Sequence, residues 1–281
     1  MAVQHDEGFF SARDNLRLFW ASEVPGAPRA WVGLVHGYAD HSGRYRSFAS
    51  HLAQEGFGVL AFDYRGHGQA DGRRAYCEKF DDYVSDLEAF WARMRQAAGG
   101  RKVFLFMHSH GALIGLRWVL ARGRPEGLSG WVLSAPYLKL ALKPPVTKVL
   151  GAKLVGTVVP WLPVKTELTS RDLSRDEVHQ RATDRDPLYL RIVTPRWFNE
   201  SNRVQKEVVA GAGAAVSWPT LVLCGAEDGV ASTPAARDFF ATIASGDKKY
   251  LEYPGMRHEC LNEVGKEEVW RDVTGWISGH L

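Results

Sequence analysis

The stretch Val103–Gly111, VFLFMHSHG, decides how this chain can be interpreted. Its apolar part, Val103–Met107, predicts a buried strand, and a helical pattern begins at about Gly111. Ser109 therefore lies on a sharp turn between a strand and a helix, with its hydroxyl exposed and the N-terminus of the helix behind it. A serine in this position is typical of a nucleophile, and a structural serine remains the alternative while the turn is considered alone.

Outward from this turn, apolar strands alternate with helical segments. Such alternation predicts βαβ units and a mainly parallel sheet, and continuous apolar strands indicate that helices cover both faces. The first two strands flank a turn pair and should form an antiparallel edge, so the predicted fold class is α/β. The predicted strands are Phe9–Arg13, Leu16–Ala21, Ala30–Val35, Gly58–Phe62, Val103–Met107, Leu128–Ser134, Thr220–Cys224 and Lys249–Tyr253.

One connection is far longer than the others. Between the strands Leu128–Ser134 and Thr220–Cys224, the chain is proline-rich at both ends and charged in the middle. Loops of this length are uncommon unless they carry function. We interpret residues 136–217 as a helical cap over the C-terminal edge of the sheet, where open α/β sheets bind ligands. Residues 1–135 and 218–281 then form the α/β core.

Composition restricts the classes of protein that fit. The 281 residues are 45% hydrophobic and 11% aromatic, enough for a core without disulfides. The net charge of +3 is too mild to indicate nucleic acid, and three cysteines without paired spacing indicate neither a metal nor a redox site. We recognise neither a signal peptide nor an apolar span that could cross a bilayer, so we expect a soluble, cytoplasmic protein. Nothing in the sequence indicates an oligomeric state.

A serine nucleophile needs a general base, and the order of residues restricts the choice. In a fold of this kind the order is serine, acid, histidine. Three histidines remain at a distance after the serine: His179, His258 and His280. His179 lies in the predicted cap, and His280 lies next to the C-terminus. His258 lies in the loop after the last predicted strand, and we expect it to be the base.

The acid should orient this histidine and stabilise its cation. Asp228 follows the strand Thr220–Cys224 and is the residue we favour. Glu227, directly before it, remains the alternative.

Two backbone N–H groups are expected to form an oxyanion hole. One belongs to His110, which directly follows Ser109. The other belongs to Tyr38, because the glycine in His36-Gly37-Tyr38 lets the backbone approach the reacting oxygen closely. The side chains of His36, His108 and His110 are expected to have packing or rim roles.

Five ordered motifs lie in the loops of this predicted fold. They are residues 36–45 (HGYADHSGRY), 62–72 (FDYRGHGQADG), 106–111 (FMHSHG), 225–228 (GAED) and 253–263 (YPGMRHECLNE). Together they resemble the monoacylglycerol lipases and bacterial lysophospholipases of the α/β-hydrolase superfamily. The match covers most of the chain and is weakest in the cap.

The resemblance implies a serine hydrolase that cleaves an acyl ester through an acyl-enzyme, without cofactor or metal. It favours a monoacylglycerol as the substrate, with a lysophospholipid as the alternative. It also implies that the cap shields an acyl-binding channel. Asp40 is expected near the polar alcohol end of the substrate, and Trp161 of the cap is expected to contact the substrate.

Two residues depart from the pattern of this family. Met107 stands where the family has glycine, so its side chain must find room by a shift of the helix or by a narrower acyl pocket. Tyr38 is bulky where the family often has a small residue.

The beginning of the predicted cap is basic and apolar. Residues 137–165 contain no acidic residue, and their lysines are Lys139, Lys143, Lys148, Lys153 and Lys165. This combination suits an element that contacts anionic lipid surfaces. The alternative is a helix that packs over the site with its lysines in solvent.

Two other functions fit the same fold, since a fold does not determine a function. One is an aminopeptidase of the proline-releasing type, which an acidic patch in the cap would favour and the basic cap start disfavours. The other is a non-catalytic binding protein, for which Met107 is the single supporting feature.

Overall fold

One sheet of eight strands forms the framework of the protein. The computed structural model describes residues 3–141 and 158–281. The sheet has the order β1-β2-β4-β3-β5-β6-β9-β10, and β7 and β8 form a separate pair. The strands are β1 (Val3–Ser11), β2 (Arg17–Pro25), β3 (Ala30–Val35), β4 (Phe57–Asp63), β5 (Val103–His108), β6 (Leu128–Ser134), β7 (Val164–Lys165), β8 (Ile192–Val193), β9 (Thr220–Gly225) and β10 (Lys248–Tyr253).

The strand directions confirm the predicted α/β fold. From β4 through β3, β5, β6 and β9 to β10 every pairing is parallel, whereas β1 pairs antiparallel with β2, and β2 with β4. Every residue of β3, β4, β5 and β9 is buried, as expected of strands covered on both faces. The parallel strands end at one edge, where the functional loops meet.

Helices cover both faces of this sheet. The helices are α1 (Arg46–Gln54), α2 (Asp81–Ala98), α3 (His110–Arg122), α4 (Ser170–Leu173), α5 (Glu177–Arg185), α6 (Pro195–Ala215), α7 (Thr233–Thr242) and α8 (Lys266–Ser278). On one face α1 and α8 pack Phe48 and Val273 against the strands, and on the other α2 and α3 contribute Phe90 and Leu113. No helix within the two described ranges combines the length and apolar composition needed to cross a bilayer.

Local sequence explains where the helices begin and end. Two aspartates occupy the first turn of α2, where they interact favourably with the helix dipole, and Gly99 ends this helix with a φ of 55°. Thr194 caps α6 by accepting a hydrogen bond from the N–H of Trp197, and Pro195 occupies its first turn.

The chain between β6 and β9 carries the elements that we predicted to be a cap. Its described part contains the β7–β8 pair, α4, α5 and the long helix α6, which packs against α3. Leu190 in this segment donates its N–H to the carbonyl of Ala39 in the loop after β3, at 2.8 Å. Of the lysines in the predicted lipid-contacting stretch, three lie outside the described residues: Lys143, Lys148 and Lys153.

Candidate active site

Ser109 occupies the turn between β5 and α3 in a strained backbone conformation. Its φ of 52° and ψ of −113° are rarely adopted by a residue other than glycine. The surrounding backbone holds this conformation, because the Ser109 N–H donates to the carbonyl of Ser134 at 2.8 Å and its own carbonyl accepts from Leu113 and Tyr137. Such strain costs about 1–3 kcal/mol and persists only where neighbours impose it. The turn presents the side chain at the sheet edge.

Three side chains from three loops form a hydrogen-bonded series at this edge. The Ser109 Oγ lies 2.9 Å from the Nε2 of His258, and the Nδ1 of His258 lies 2.8 Å from the Oδ2 of Asp228. Ser109 is 5% exposed and His258 is 4% exposed. His258 thus lies within hydrogen-bond distance of both Ser109 and Asp228.

The loop after β9 fixes the carboxylate of Asp228. Its Oδ1 accepts hydrogen bonds from the backbone N–H groups of Val230 and Ala231, at 2.8 and 2.9 Å, which leaves Oδ2 for the histidine. Glu227, the alternative acid, is exposed. The geometry therefore favours Asp228 over its neighbour.

The carboxylate determines the tautomer and the basicity of His258. Since an ionised carboxylate only accepts hydrogen bonds, the Nδ1 of His258 carries the proton and Nε2 presents its lone pair to the hydroxyl of Ser109. Burial on its own would lower the pKa of His258, but the charge of Asp228 and its hydrogen bond outweigh that effect and raise the pKa. A histidine in this state can accept the serine proton.

The two candidate oxyanion donors are the backbone N–H groups of His110 and Tyr38. The N–H of His110 is in the first turn of α3, where backbone donors have no intrahelical acceptor. Tyr38 follows Gly37, which approaches Ser109 so closely that a Cβ there would lie 3.0 Å from His108 Cδ2 and 3.3 Å from Ser109 Cβ. A side chain at this position would require its neighbours to shift by a few tenths of an ångström.

A cavity of about 560 Å³ opens over Ser109. Its wall combines apolar and aromatic side chains with carboxylates. The apolar residues include Tyr137, Leu140, Val193, Trp197 and Phe198, and the acidic ones are Asp40, Glu167, Asp172 and Glu259. Within the described part of the chain, no group of His, Cys, Asp and Glu is arranged to hold a metal ion.

A buried ion-pair network includes two carboxylates of this wall, and our sequence analysis did not predict it. Arg44 contacts Asp40 at 2.7 Å through Nε and Glu259 at 2.7 Å through Nη2. His179 of α5 reaches the same Glu259 oxygen at 2.7 Å. Burial alone would raise the pKa of Glu259, yet Arg44 and His179 hold it well below its ordinary value. The network joins the loop after β3, the histidine loop and α5.

Of the remaining predicted residues, Tyr38 and Asp40 lie at the cavity and Trp161 does not. Tyr38 and Asp40 line the cavity, and the bulk of Tyr38 is accommodated because its ring stacks on Trp197 at 3.7 Å and its hydroxyl donates to the carbonyl of Ile192. Trp161 lies apart from this wall: it is 47% exposed, and the guanidinium of Arg73 lies over its ring at 5.5 Å.

The two histidines beside Ser109 are buried. His108 lines the cavity, and its Nδ1 lies 3.2 Å from the hydroxyl of Ser134. Burial and the neighbouring His258 lower the pKa of His108 to about 3, so its ring is neutral. The ring of His110 points away from the cavity into a cluster of aromatic side chains that includes Tyr64 and Tyr83.

The side chain of Met107 packs against α3. Its side chain is completely buried in the core and is not among the described residues that line the cavity. A Cβ at Gly115 would lie 2.3 Å from Met107 Sδ and 2.6 Å from Cε, so the methionine occupies the space that a side chain on α3 would take. Gly115 on α3, eight residues further along the chain, thus compensates for the glycine missing at position 107.

Proteins similar to this chain include lipases and a phospholipase. A family model described as serine aminopeptidase, S33, matches residues 26–265. The chain is 30% identical to a monoacylglycerol lipase of Mycolicibacterium smegmatis over 276 residues, covering 98% of both chains. It is 28% identical to phospholipase YtpA of Bacillus subtilis over 254 residues, covering 90% of this chain and 97% of that protein.

A solved structure shows the same architecture over the full length. The crystal structure of a monoacylglycerol lipase from Paleococcus ferrophilus superposes with a TM-score of 0.82 at 27% identity, and the alignment covers 100% of both chains.

Proposed function

This chain belongs to the α/β-hydrolase family of serine hydrolases whose model matches it, and from that premise we propose that it hydrolyses acyl esters of glycerol through an acyl-enzyme on Ser109. The observation that carries the proposal is the continuous series from Asp228 through His258 to Ser109 at the base of a partly apolar cavity. Similarity to proteins named monoacylglycerol lipase supports glycerol as the alcohol.

In the first step, the Ser109 oxygen attacks the ester carbonyl while the Nε2 of His258 accepts the hydroxyl proton. The tetrahedral intermediate places its negative oxygen between the N–H groups of Tyr38 and His110. As the carbonyl re-forms, the bond to the alcohol oxygen breaks, and His258 returns its proton to that oxygen. Asp228 stabilises the transient imidazolium.

In the second step, water takes the place of the alcohol. The Nε2 of His258 accepts a proton from water while the water oxygen attacks the acyl carbon. The second tetrahedral intermediate collapses by breaking the bond to the Ser109 oxygen, which regains its proton from His258. The products are a fatty acid and the restored serine.

The cavity wall suggests how the substrate is oriented. The apolar side chains of Leu140, Val193 and Phe198 suit an acyl chain, which binds through apolar contact. Asp40, which also lines the cavity, can accept a hydrogen bond from an alcohol hydroxyl. We assign the acyl chain to the apolar side chains and the glycerol to Asp40.

A hydrolysis panel tests the proposal. Purified protein is given monoacylglycerols, lysophospholipids and simple esters over a range of chain lengths, with Ser109→Ala as the control. The proposal predicts the highest kcat/KM on monoacylglycerols and none in the control. Preference for lysophospholipids, which the similarity to phospholipase YtpA makes the second candidate, would reject glycerol esters as the substrate.

Peripheral binding to lipid surfaces is a further part of the proposal. Residues 158–164 expose several apolar side chains, and Lys139 and Lys165 are exposed nearby in the sequence. The exposed apolar residues are Val158, Trp161, Leu162 and Val164. Apolar side chains flanked by lysines suit the boundary of an anionic membrane. Co-sedimentation with liposomes, with and without anionic lipid, tests this; absence of the protein from both pellets rejects it.

An aminopeptidase is the candidate from a different substrate class. The predicted cap contributes Glu167 and Asp172 to the cavity wall, and carboxylates there could receive a free amine. The same panel therefore includes proline-terminated peptide amides, on which our proposal predicts no turnover.

A further inference from the structure

The peptide group between Gly37 and Tyr38 has two functional ends. Its N–H belongs to Tyr38 and is the candidate oxyanion donor, and its C=O belongs to Gly37. In a planar trans peptide these two bonds point in opposite directions. Whatever holds the Gly37 carbonyl therefore also aims the Tyr38 N–H.

Two buried side chains donate to that carbonyl. The hydroxyl of Tyr64 and the Nδ1 of His36 each lie 2.7 Å from the Gly37 oxygen. Since a carbonyl oxygen only accepts, both groups are donors here. Their rings stack on each other with centroids 4.0 Å apart, and neither side chain reaches solvent. Both lone pairs of the Gly37 carbonyl are thus occupied on the side away from the cavity.

We infer that Tyr64 is a positioning residue for the oxyanion hole: its hydroxyl holds the Gly37 carbonyl and thereby orients the Tyr38 N–H. Trp197 of α6 links this orientation to the predicted cap. The inference rests on the proposed function, because it assigns the Tyr38 N–H to the oxyanion. Hydrogen bonds in a chain polarise one another, so two donors on the carbonyl also strengthen the N–H at the other end of the same peptide.

The connection to α6 runs through His110. Trp197 donates its Nε1–H to the Nε2 of His110 at 3.2 Å, and the Nδ1 of His110 lies 3.2 Å from the hydroxyl of Tyr64. Since tryptophan only donates, Nε2 accepts, and the neutral ring carries its proton on Nδ1. Burial lowers the pKa of His110 well below its ordinary value, which keeps the ring neutral.

All donors in this series therefore point the same way. Trp197 donates to His110, His110 donates to the Tyr64 oxygen, and the Tyr64 hydroxyl donates to the Gly37 carbonyl. Trp197 also stacks on the ring of Tyr38 itself, at 3.7 Å. A cap helix that lines the cavity thus contacts both the side chain and, through the series, the backbone orientation of Tyr38.

The test is Tyr64→Phe, with Tyr83→Phe as the matched control. Phenylalanine keeps the shape of the ring and removes the hydroxyl alone. Tyr83 is an equally buried tyrosine of the same cluster, 5.2 Å from Tyr64 in ring centroids, and its hydroxyl interacts with the thiol of Cys77 rather than with the Gly37 carbonyl. The readouts are kcat and KM on a monoacylglycerol, affinity for a trifluoromethyl ketone of matching chain length, and thermal stability.

Because one donor remains on the carbonyl, the loss should be smaller than deleting an oxyanion donor outright, which costs about 10²–10³ in rate. We expect Tyr64→Phe to lower kcat about 3- to 10-fold with little change in KM. Affinity for the ketone, whose adduct puts an oxyanion in the hole, should fall by a similar factor. Tyr83→Phe should match the wild type in kcat, in KM and in affinity for the ketone.

The outcomes distinguish failure of the positioning role of Tyr64 from failure of the proposed function. Equal kcat and ketone affinity in Tyr64→Phe and Tyr83→Phe would overturn the positioning role while leaving the proposed function in force. A rise in KM with kcat unchanged would also overturn it, because that pattern indicates a damaged cavity. A wild-type protein inactive on every ester would overturn the proposed function and this inference with it.

Discussion

Gly115 is the residue on which the accommodation of Met107 depends, and Gly115→Ala tests this. The added Cβ would lie 2.3 Å from Met107 Sδ and 2.6 Å from Cε, whereas carbon and sulfur atoms in contact are about 3.5–4.0 Å apart. More than 1 Å of overlap must be relieved in a site where Met107 is completely buried. The helix α3 or the methionine has to move.

The size of the effect follows from two opposing contributions. Overpacking of a core costs about 1–3 kcal/mol, and replacing a glycine within a helix by alanine returns about 0.5–1 kcal/mol. We expect Gly115→Ala to reduce the free energy of unfolding by about 1–2 kcal/mol, or roughly 2–8 °C in Tm for a chain of this size. Since α3 begins at His110, displacement of the helix should also lower kcat.

The matched variant is Gly115→Ala combined with Met107→Ala, assayed by chemical and thermal denaturation. Met107→Ala alone should cost about 2–5 kcal/mol by leaving a cavity. In that background, Gly115→Ala should cost nothing or stabilise, because the clashing atoms are gone. If Gly115→Ala cost the same with and without Met107, the two changes would be additive and the packing explanation would be wrong.

Three further predictions concern the charged groups of the site. Asp228→Asn should lower kcat by about 10³–10⁴, since the amide no longer selects the productive histidine tautomer; an unchanged rate excludes Asp228 as the acid. Because Asp228 raises the pKa of His258, the acid limb of kcat/KM should lie above the ordinary histidine value of about 6.5. In Asp228→Asn this limb should move to lower pH, and a pH profile that does not move contradicts this. Arg44→Met leaves Asp40 and Glu259 buried without their cation and should destabilise by about 3–5 kcal/mol in urea titration; an unchanged midpoint would show that the ion pairs contribute nothing net.

The sequence predicted the framework of the fold because its strands are continuous apolar runs. Ala30–Val35 and Leu128–Ser134 begin and end where they were predicted. Helix ends are decided by capping groups rather than by the apolar pattern. The helix α7 begins at Thr233, because the Ser232 side chain caps it and Pro234 fits its first turn.

The order of the functional loops was predictable, but the contacts between distant side chains were not. Asp228 and His258 follow from the chain order that this fold imposes. The pairing of Arg44 with Glu259 joins positions 215 residues apart and depends on how two loops meet. The space for Met107 likewise depends on a glycine of the next helix, which no local pattern around the turn reveals.

The most direct test of the central claim is the site of covalent labelling by a fluorophosphonate, mapped by mass spectrometry in the wild type and in Ser109→Ala. A serine activated by His258 reacts with this probe, whereas an ordinary serine does not. We expect one labelled peptide that contains Ser109, and neither label nor ester hydrolysis in Ser109→Ala. Labelling at another residue, or full hydrolysis by Ser109→Ala, would contradict it.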